Sequence, residues 1–452
     1  MTLFFLSLFP VTAMIIEIKK KYELRGIYNF RKDFKATRKM KNKRPDNYEG
    51  IRLGDTMNHK PLFLPDNLKH FFICGTTGAG KTVALSNFIQ YACVEDLPLL
   101  IVDGKGDMGQ GSILEITKKF AKRSFRDLYI VNLNCPAESS KYNPFQNTEP
   151  SVIKDMLINM SEWTEEHYKL NTERYLQRVI QLLNRFDCTL NLRSIIKAMN
   201  PEAFTRGSAE LLKLEVISKE QHLDNIALAK SSGKIAEDSI ARFATIAESG
   251  VGQIFHKDGI DIYTALKENA IILFVLNPLL YPELSPAIGR LVLIDSKKAV
   301  SKLFGDKRRK LFLFDEISNY ASPSIVDLVN KSRSANVTCT LATQTLSDLD
   351  IISEHLKQQV IENCNNYLVM RQNSSDNAEH WAGILGTRNS MEVTYQLQQR
   401  GLNTATTGFG SARRVREFLY HPDTIKHLPV GQGIFMSKDL PYHAKIKVHK
   451  PF

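Results

Sequence analysis

The sequence lacks the marks of several large protein classes. Its six cysteines (Cys74, Cys93, Cys135, Cys188, Cys339 and Cys364) form no CxxC pair and no metal-ligand spacing, which excludes a disulfide scaffold and a zinc module. The eleven histidines show no HxxxH pattern, so no helix-borne metal site is written into the chain, and His70, His421 and His427 read as ordinary positions. No apolar run reaches the roughly 20 residues that a membrane helix requires. The nearest, Leu3 to Ile16, is interrupted by Pro10; it has no charged leader and no small-residue cleavage site, so it is not a secretory signal. Internal repeats and low-complexity tracts are absent. What is present is a chain of 452 residues, 43% hydrophobic and 24% charged, which is a globular composition long enough for two or three domains. Cys74 and Cys339 fall in apparent core strands and read as reduced thiols of a cytosolic body.

The net charge of +12 is local. Between Lys19 and Arg44 twelve lysines and arginines face only Glu23 and Asp33, an excess of +10, so the remainder of the chain is nearly neutral. A basic flank directly after an apolar run follows the positive-inside rule and keeps the body in the cytoplasm. We therefore expect residues 1–18 to be a short membrane anchor and 19–45 a basic juxtamembrane segment. The charge speaks for a membrane surface more than for DNA.

The strongest motif is "FFICGTTGAGKT". Phe71 to Cys74 is a short buried-strand run, and Gly75, Gly80, Lys81 and Thr82 fit the spacing G-x-x-x-x-G-K-[ST] ahead of a helix-compatible stretch. Glycines in this loop let successive N–H groups turn towards phosphate oxygens, and the helix N-terminus adds its dipole. Gly75, Thr76, Thr77, Gly78, Ala79, Gly80, Lys81 and Thr82 are the expected phosphate-binding residues. Lys81 reaches the β- and γ-phosphates and Thr82 ligates Mg²⁺. Further apolar runs, Leu99–Asp103, Leu128–Leu133, Ile271–Leu276, Leu311–Asp315, Val337–Ala342 and Tyr367–Met370, alternate with helical patterns. That order predicts an α/β fold on a mostly parallel sheet. From 151 to 250 only helical patterns occur, which predicts an inserted all-α domain between a nucleotide-binding part at 46–150 and a second part at 251–452.

Two carboxylates end the run "LFLFDE". Asp315 is the expected Mg²⁺ residue and Glu316 the general base for the attacking water. Asp103, ending "LLIVDGKGD", is the rival metal residue, but Gly104 follows it where a catalytic acid is needed. Spacing alone leaves Asp103 and Lys105 open between a nucleotide contact and a capped turn. Gln344 ends the strand beside Asp315–Glu316, where an amide can touch both γ-phosphate and water. Arg333 and Arg371 are two candidates for an arginine that completes a neighbouring subunit's site; spacing leaves either a surface residue as readily. There is no LSGGQ-like signature of an ABC transporter and no N-K-x-D stretch of a small GTPase.

In this order "RLGDTMNHKPLFLPDNLKHFFICGTTGAGKT", "IVDGKGD", "YNPF", "FLFDEISNY" and "SRSANVTCTLATQT", with "LPVGQGIFMSK" near the end, resemble the type IV coupling proteins of bacterial conjugation. This is the TraD/TraG group of FtsK/HerA-type P-loop ATPases. The resemblance runs from about Ile51 to the C-terminus. It implies a RecA-like ATPase domain carrying an all-α insertion, with ATP and Mg²⁺ as ligands. It also implies a homohexamer on the cytoplasmic face of the inner membrane, passing DNA from a relaxase or relaxosome to a type IV secretion channel. By position it assigns Lys81, Thr82, Asp315, Glu316 and Gln344 to the nucleotide site, Arg333 to the intersubunit arginine, and Asp103 and Lys105 to the nucleotide's side. Family members usually carry two membrane helices, and here at most one shortened span is visible. Two other readings stay open: a chromosomal FtsK/HerA-like translocase, and an ATPase that docks secreted proteins.

Overall fold

The computed structural model describes residues 49–452, apart from 66–68, 162, 164, 187–188, 351, 354 and 401–402. The expected anchor and basic segment therefore lie outside the described residues. Among the described residues no helix is long and apolar enough to cross a membrane.

Two strands open the fold, β1 (Ile51–Thr56) and β2 (Pro61–Leu64). β3 (Phe71–Cys74) leads into α1 (Lys81–Val94), β4 (Leu99–Asp103) into α2 (Ile113–Arg123), and β5 (Leu128–Asn132) into six helices. These are α3 (Pro150–Asn159), α4 (Glu166–Asn184), α5 (Leu192–Met199), α6 (Pro201–Lys213), α7 (Lys219–Ser231) and α8 (Gly233–Glu248). The chain returns through α9 (Ile262–Lys267), β6 (Ile271–Val275), α10 (Leu284–Lys302), β7 (Lys310–Asp315), α11 (Ser324–Ser332) and β8 (Val337–Thr343). Next come α12 (Ser347–Asp350), α13 (Leu356–Asn363), β9 (Asn366–Val369) and α14 (Ser375–Leu385). The long strands β10 (Thr387–Arg400) and β11 (Asn403–Phe418) precede α15 (Pro422–Lys426), β12 (Gln432–Ser437) and β13 (Tyr442–Val448).

Eleven strands form one sheet in the order β2-β1-β13-β12-β9-β3-β8-β7-β4-β6-β5. The seven from β9 to β5 are parallel, and the four beyond β9 are antiparallel. The central strands read as unbroken apolar runs because helices cover both faces, so inward and outward positions are equally dry. Alternate residues then serve opposite cores. Phe71, Ile73, Leu99, Ile101, Leu311 and Leu313 pack beneath α1 and α2. Phe72, Cys74, Leu100, Val102, Phe312 and Phe314 join a core that runs through α10, α11, α14 and the helical insertion. Trp381 of α14 is fully buried there, its ring 5.9 Å from Phe72 and 6.0 Å from Tyr367.

The "YNPF" segment ties both chain crossings of the helical insertion to the sheet layer. Tyr142 pairs with Phe255 and Ile260 on the returning chain. The Asn143 side-chain amide donates to the carbonyls of Leu190 (3.0 Å) and Lys257 (3.1 Å). The Tyr142 hydroxyl donates to Asp295 of α10 at 2.8 Å, and Lys298 neutralises that buried carboxylate at 2.7 Å. A buried charge is tolerable only when paired in this way.

Candidate active site

β3 is the sixth of the sheet's eleven strands, between β9 and β8, and the loop that leaves it is stitched to both neighbours. The Gly75 N–H donates to Thr343 O at 3.3 Å and the Thr76 N–H to Arg371 O at 3.0 Å. Gly80 caps α1 at φ 110°, left-handed backbone that strains any side chain, and a Cβ there would meet Met370 Cε at 3.2 Å and Gly431 Cα at 3.4 Å. The Gly431 N–H donates to Ala79 O at 2.9 Å, so the "LPVGQG" turn backs the loop. Lys81 and Thr82 open α1, whose first turn holds no acidic residue, leaving its positive dipole end uncompensated.

Lys81 is buried. Its ammonium donates to Gly75 O at 2.8 Å and stands 3.2 Å from Glu316 Oε1. Glu316 reaches it because its backbone is left-handed (φ 44°, ψ 51°), turning the side chain back over the ends of β7 and β3. A non-glycine residue held there is strained, and such strain collects at active sites. The Gln344 amide donates to the same Glu316 oxygen at 3.2 Å, and the Thr77 hydroxyl donates to Gln344 Oε1 at 2.9 Å. A closed circuit of Thr77, Gln344, Glu316 and Lys81 thus spans the ends of three adjacent strands.

Asp103 and Asp315 are register partners on β4 and β7. Burial pushes Asp315 up to about 8, and the carboxylates of Asp103 and Glu316 add to the shift against the pull of Lys81. Burial raises Asp103 to about 6, opposed by the N–H groups of Gly106 and Lys105, which both donate to its Oδ1. Asp315 Oδ1 and Asp103 Oδ2 are buried and have no hydrogen-bond partner. Asp315 and Asp103 each leave one buried oxygen unpartnered, hard donors of the kind Mg²⁺ takes, while among the described residues no group of three His, Cys, Asp or Glu is arranged to hold a metal ion by itself. Asp315 and its register partner Asp103, with Thr82 at the start of α1, would be the residues to hold it. When bound, such a cation neutralises charge on transferring phosphates.

The remaining candidates separate. Lys105 is exposed, its ammonium on Asp107 at 2.9 Å. Arg371 touches the loop through its carbonyl, and its guanidinium Nε is buried without a hydrogen-bond partner. Arg333 is exposed and precedes the start of β8, whereas Thr343 at the other end of β8 borders the loop. Seven strand residues separate the two edges by roughly 20 Å. Arg333 therefore lies too far away to serve its own nucleotide.

Several residues at this site carry no individual signal in the sequence. The Asn134 amide donates to Gly106 O at 3.2 Å, and the Asn277 amide donates to Asn134 Oδ1 at 2.5 Å, fixing the "DGKGD" loop. The Tyr320 hydroxyl donates to Asp315 O at 3.2 Å and holds the end of β7. Only the glycines that follow Asp103 could have pointed to such a close approach, since a Cβ on Gly106 would lie 1.7 Å from Leu276 O.

The sheet and the circuit at its centre define the class, a P-loop NTPase of RecA-like architecture. Residues 309–430 match the family model described as the TraM recognition site of TraD and TraG. The chain also superposes on the bacterial conjugative coupling protein TrwBdeltaN70 in its unbound form. The TM-score is 0.62 at 16% identity, covering 89% of this chain and 90% of that one. The plasmid coupling protein TrwB in complex with ADP and Mg²⁺ gives 0.60 at 15% identity, with 90% and 91% covered. VirB4 of Thermoanaerobacter pseudethanolicus gives 0.54 at 12% identity, with 90% and 98% covered. No curated protein matches the sequence. The resemblance to the TraD/TraG group of type IV coupling proteins is borne out by the family match, on the RecA-like fold that TrwB shares.

Proposed function

We propose that the chain is an ATP-hydrolysing motor that couples transferred DNA to a type IV secretion channel. The observation that carries this reading is the Thr77–Gln344–Glu316–Lys81 circuit at the ends of β3, β7 and β8. It gathers Glu316, Lys81 and Gln344 around one loop, which supports reading them as a base, a phosphate-contacting lysine and a reporting amide. In this reading Lys81 and the loop N–H groups hold the phosphates, Glu316 takes the proton of the attacking water, and Gln344 orients that water. Arg333 completes a neighbouring subunit's site in a head-to-tail hexamer, since it sits on the edge opposite its own loop. ATP with Mg²⁺ is the nucleotide, by analogy with the TrwB complexes that hold ADP with Mg²⁺ or an ATP analogue. The apolar run at 3–16 and the basic segment at 19–45 support placement at the cytoplasmic face of the inner membrane.

The match to a TraM recognition region and the nearly neutral body favour one alternative, an ATPase that docks protein substrates. ATP hydrolysis measured with and without single- and double-stranded DNA, beside Lys81→Ala as the blank, decides between them. DNA stimulation that disappears in the blank supports the motor. Hydrolysis indifferent to DNA in protein that forms rings sinks it in favour of docking.

A further inference from the structure

The two flanks of the nucleotide loop are finished differently. On the β8 side the side chains of Thr77, Gln344, Glu316 and Lys81 satisfy one another. On the side of β9 and β12 the loop is held by main-chain bonds, Thr76 N–H to Arg371 O at 3.0 Å and Gly431 N–H to Ala79 O at 2.9 Å. The residues at and beside these bonds carry buried polar atoms with no hydrogen-bond partner: Thr76 Oγ1, Arg371 Nε, Gln372 Oε1 and Gln432 Oε1. Gln372 is fully buried. Unpartnered buried polar atoms cost free energy, so a cluster of them on one flank marks a place where a bound group supplies the partners.

Arg371 is the cation of this cluster. Arginine is always charged in a protein, and a charge taken out of water without a partner is costly. Among the described residues the Arg371 guanidinium makes no ion pair. Lys81 differs, since it has Glu316 at 3.2 Å. The backbone fixes where the Arg371 side chain begins. It is the second residue past β9, whose Val369 is the register partner of Cys74. Met370 in between packs on the loop, and a Cβ on Gly75 would lie 2.7 Å from Met370 Cβ. The side chain therefore leaves the main chain beside the second residue of the loop, whereas Arg333 lies on the far edge of the sheet. A planar guanidinium with several donors matches phosphate oxygens.

We propose that Arg371 binds the phosphate chain of the nucleotide held by the loop of its own chain, a second cation beside Lys81 that arrives from the β9 flank. This rests on the nucleotide-hydrolysing reading above and deepens it by dividing the two arginines, Arg371 for its own site and Arg333 for a neighbour's.

The test uses the full chain and two probes, a fluorescent ATP analogue in direct titration and tripolyphosphate as its competitor. Tripolyphosphate offers the phosphate chain without base or ribose. Arg371→Met keeps an apolar stem, removes the charge and retains the carbonyl that holds Thr76. It should weaken both probes alike, roughly ten- to a hundredfold, the worth of a hydrogen bond to a charged group. Arg371→Lys should recover part of both affinities. Without nucleotide, the Arg371→Met protein should unfold in urea at the wild-type midpoint or above it, because the buried Nε has no partner to lose. The stabilisation added by a fixed concentration of ATP should shrink. Mixing Arg371→Met with Lys81→Ala protein should restore no phosphate release, since one chain's site then needs both residues.

If Arg371→Met binds both probes as wild type does while Lys81→Ala does not, the Arg371 proposal alone falls. Lost ATP affinity with unchanged tripolyphosphate affinity would put the guanidinium on the nucleoside and overturn the phosphate contact. Recovery in the mixture would make the arginine act across subunits, and a lowered nucleotide-free midpoint would make it structural; either result overturns the proposal. If wild type binds neither probe, the nucleotide-hydrolysing reading falls with it.

Discussion

Glu316→Gln separates binding from turnover, because Glu316 holds two roles in the structure. Its Oε1 restrains Lys81 at 3.2 Å and accepts from Gln344 at 3.2 Å, while its position at the end of β7 suits it to deprotonate water. A nucleotide must draw Lys81 away from this carboxylate before the ammonium can serve phosphate. The pair is buried on both sides (8% side-chain exposure each), so solvent screening does not erase it. Glutamine keeps the shape and an acceptor oxygen but removes the charge. Hydrogen bonds to charged groups contribute about 1.5–3 kcal/mol, and every 1.4 kcal/mol is tenfold in affinity. ATP should therefore bind the variant roughly tenfold more tightly. Loss of the base should meanwhile lower kcat by about 10²–10⁴, the usual worth of a positioned proton acceptor. Equilibrium titration with a fluorescent ATP analogue and steady-state phosphate release measure the two effects. Turnover at the wild-type rate would remove Glu316 from the chemistry. Unchanged or weaker binding would show that the Lys81–Glu316 pair does not compete with nucleotide.

Three further outcomes follow from other parts of the molecule. Mixing Lys81→Ala with Arg333→Ala protein at equal amounts should restore about a quarter of the interfaces in a head-to-tail ring, read as recovered phosphate release; no recovery at any ratio, with rings formed, argues against Arg333 acting across subunits. Gly104→Ala places a Cβ 2.7 Å from Asp315 O and from Tyr320 Cε1, so it should cost about 1–3 kcal/mol in denaturant unfolding and depress turnover. Gly109→Ala, whose Cβ meets only the Asp107 side chain, is the control for that overpacking. His70 accepts from the Cys339 N–H at 3.1 Å, and burial holds it down to about 4. The unfolded chain takes up this proton below about 6.5. The folded imidazole's contribution is thus complete above 6.5 and is lost as pH falls towards 4, about 3 kcal/mol in all. His70→Asn should flatten that part of the stability-against-pH curve, and parallel curves for the two proteins would refute the assignment.

How far the sequence could be read depended on how each segment is buried. The nucleotide loop is legible because phosphate binding demands glycines, a lysine and a hydroxyl at fixed spacing whatever surrounds them. The central strands are legible because sheet faces covered by helices leave unbroken apolar runs such as "LLIVD" and "IILFV". β1 and β2 fall in a stretch of mixed composition; both are short, the burial of β2 alternates, and β1 opens in a shifted register against β2, so no run is long enough to announce a strand. The β10–β11 ribbon fails for a different reason. None of its described side chains is buried, so that part of its sequence obeys no burial period, and its regularity appears only once opposed residues are paired. The Asn134–Asn277 contact is of the same kind, joining residues 143 positions apart by a single hydrogen bond. Chemistry set by backbone spacing, and burial on two faces, leave patterns in one dimension. Contacts that depend on which strands become neighbours do not, and in this chain they include the far-edge position of Arg333 and the pairing of β10 with β11.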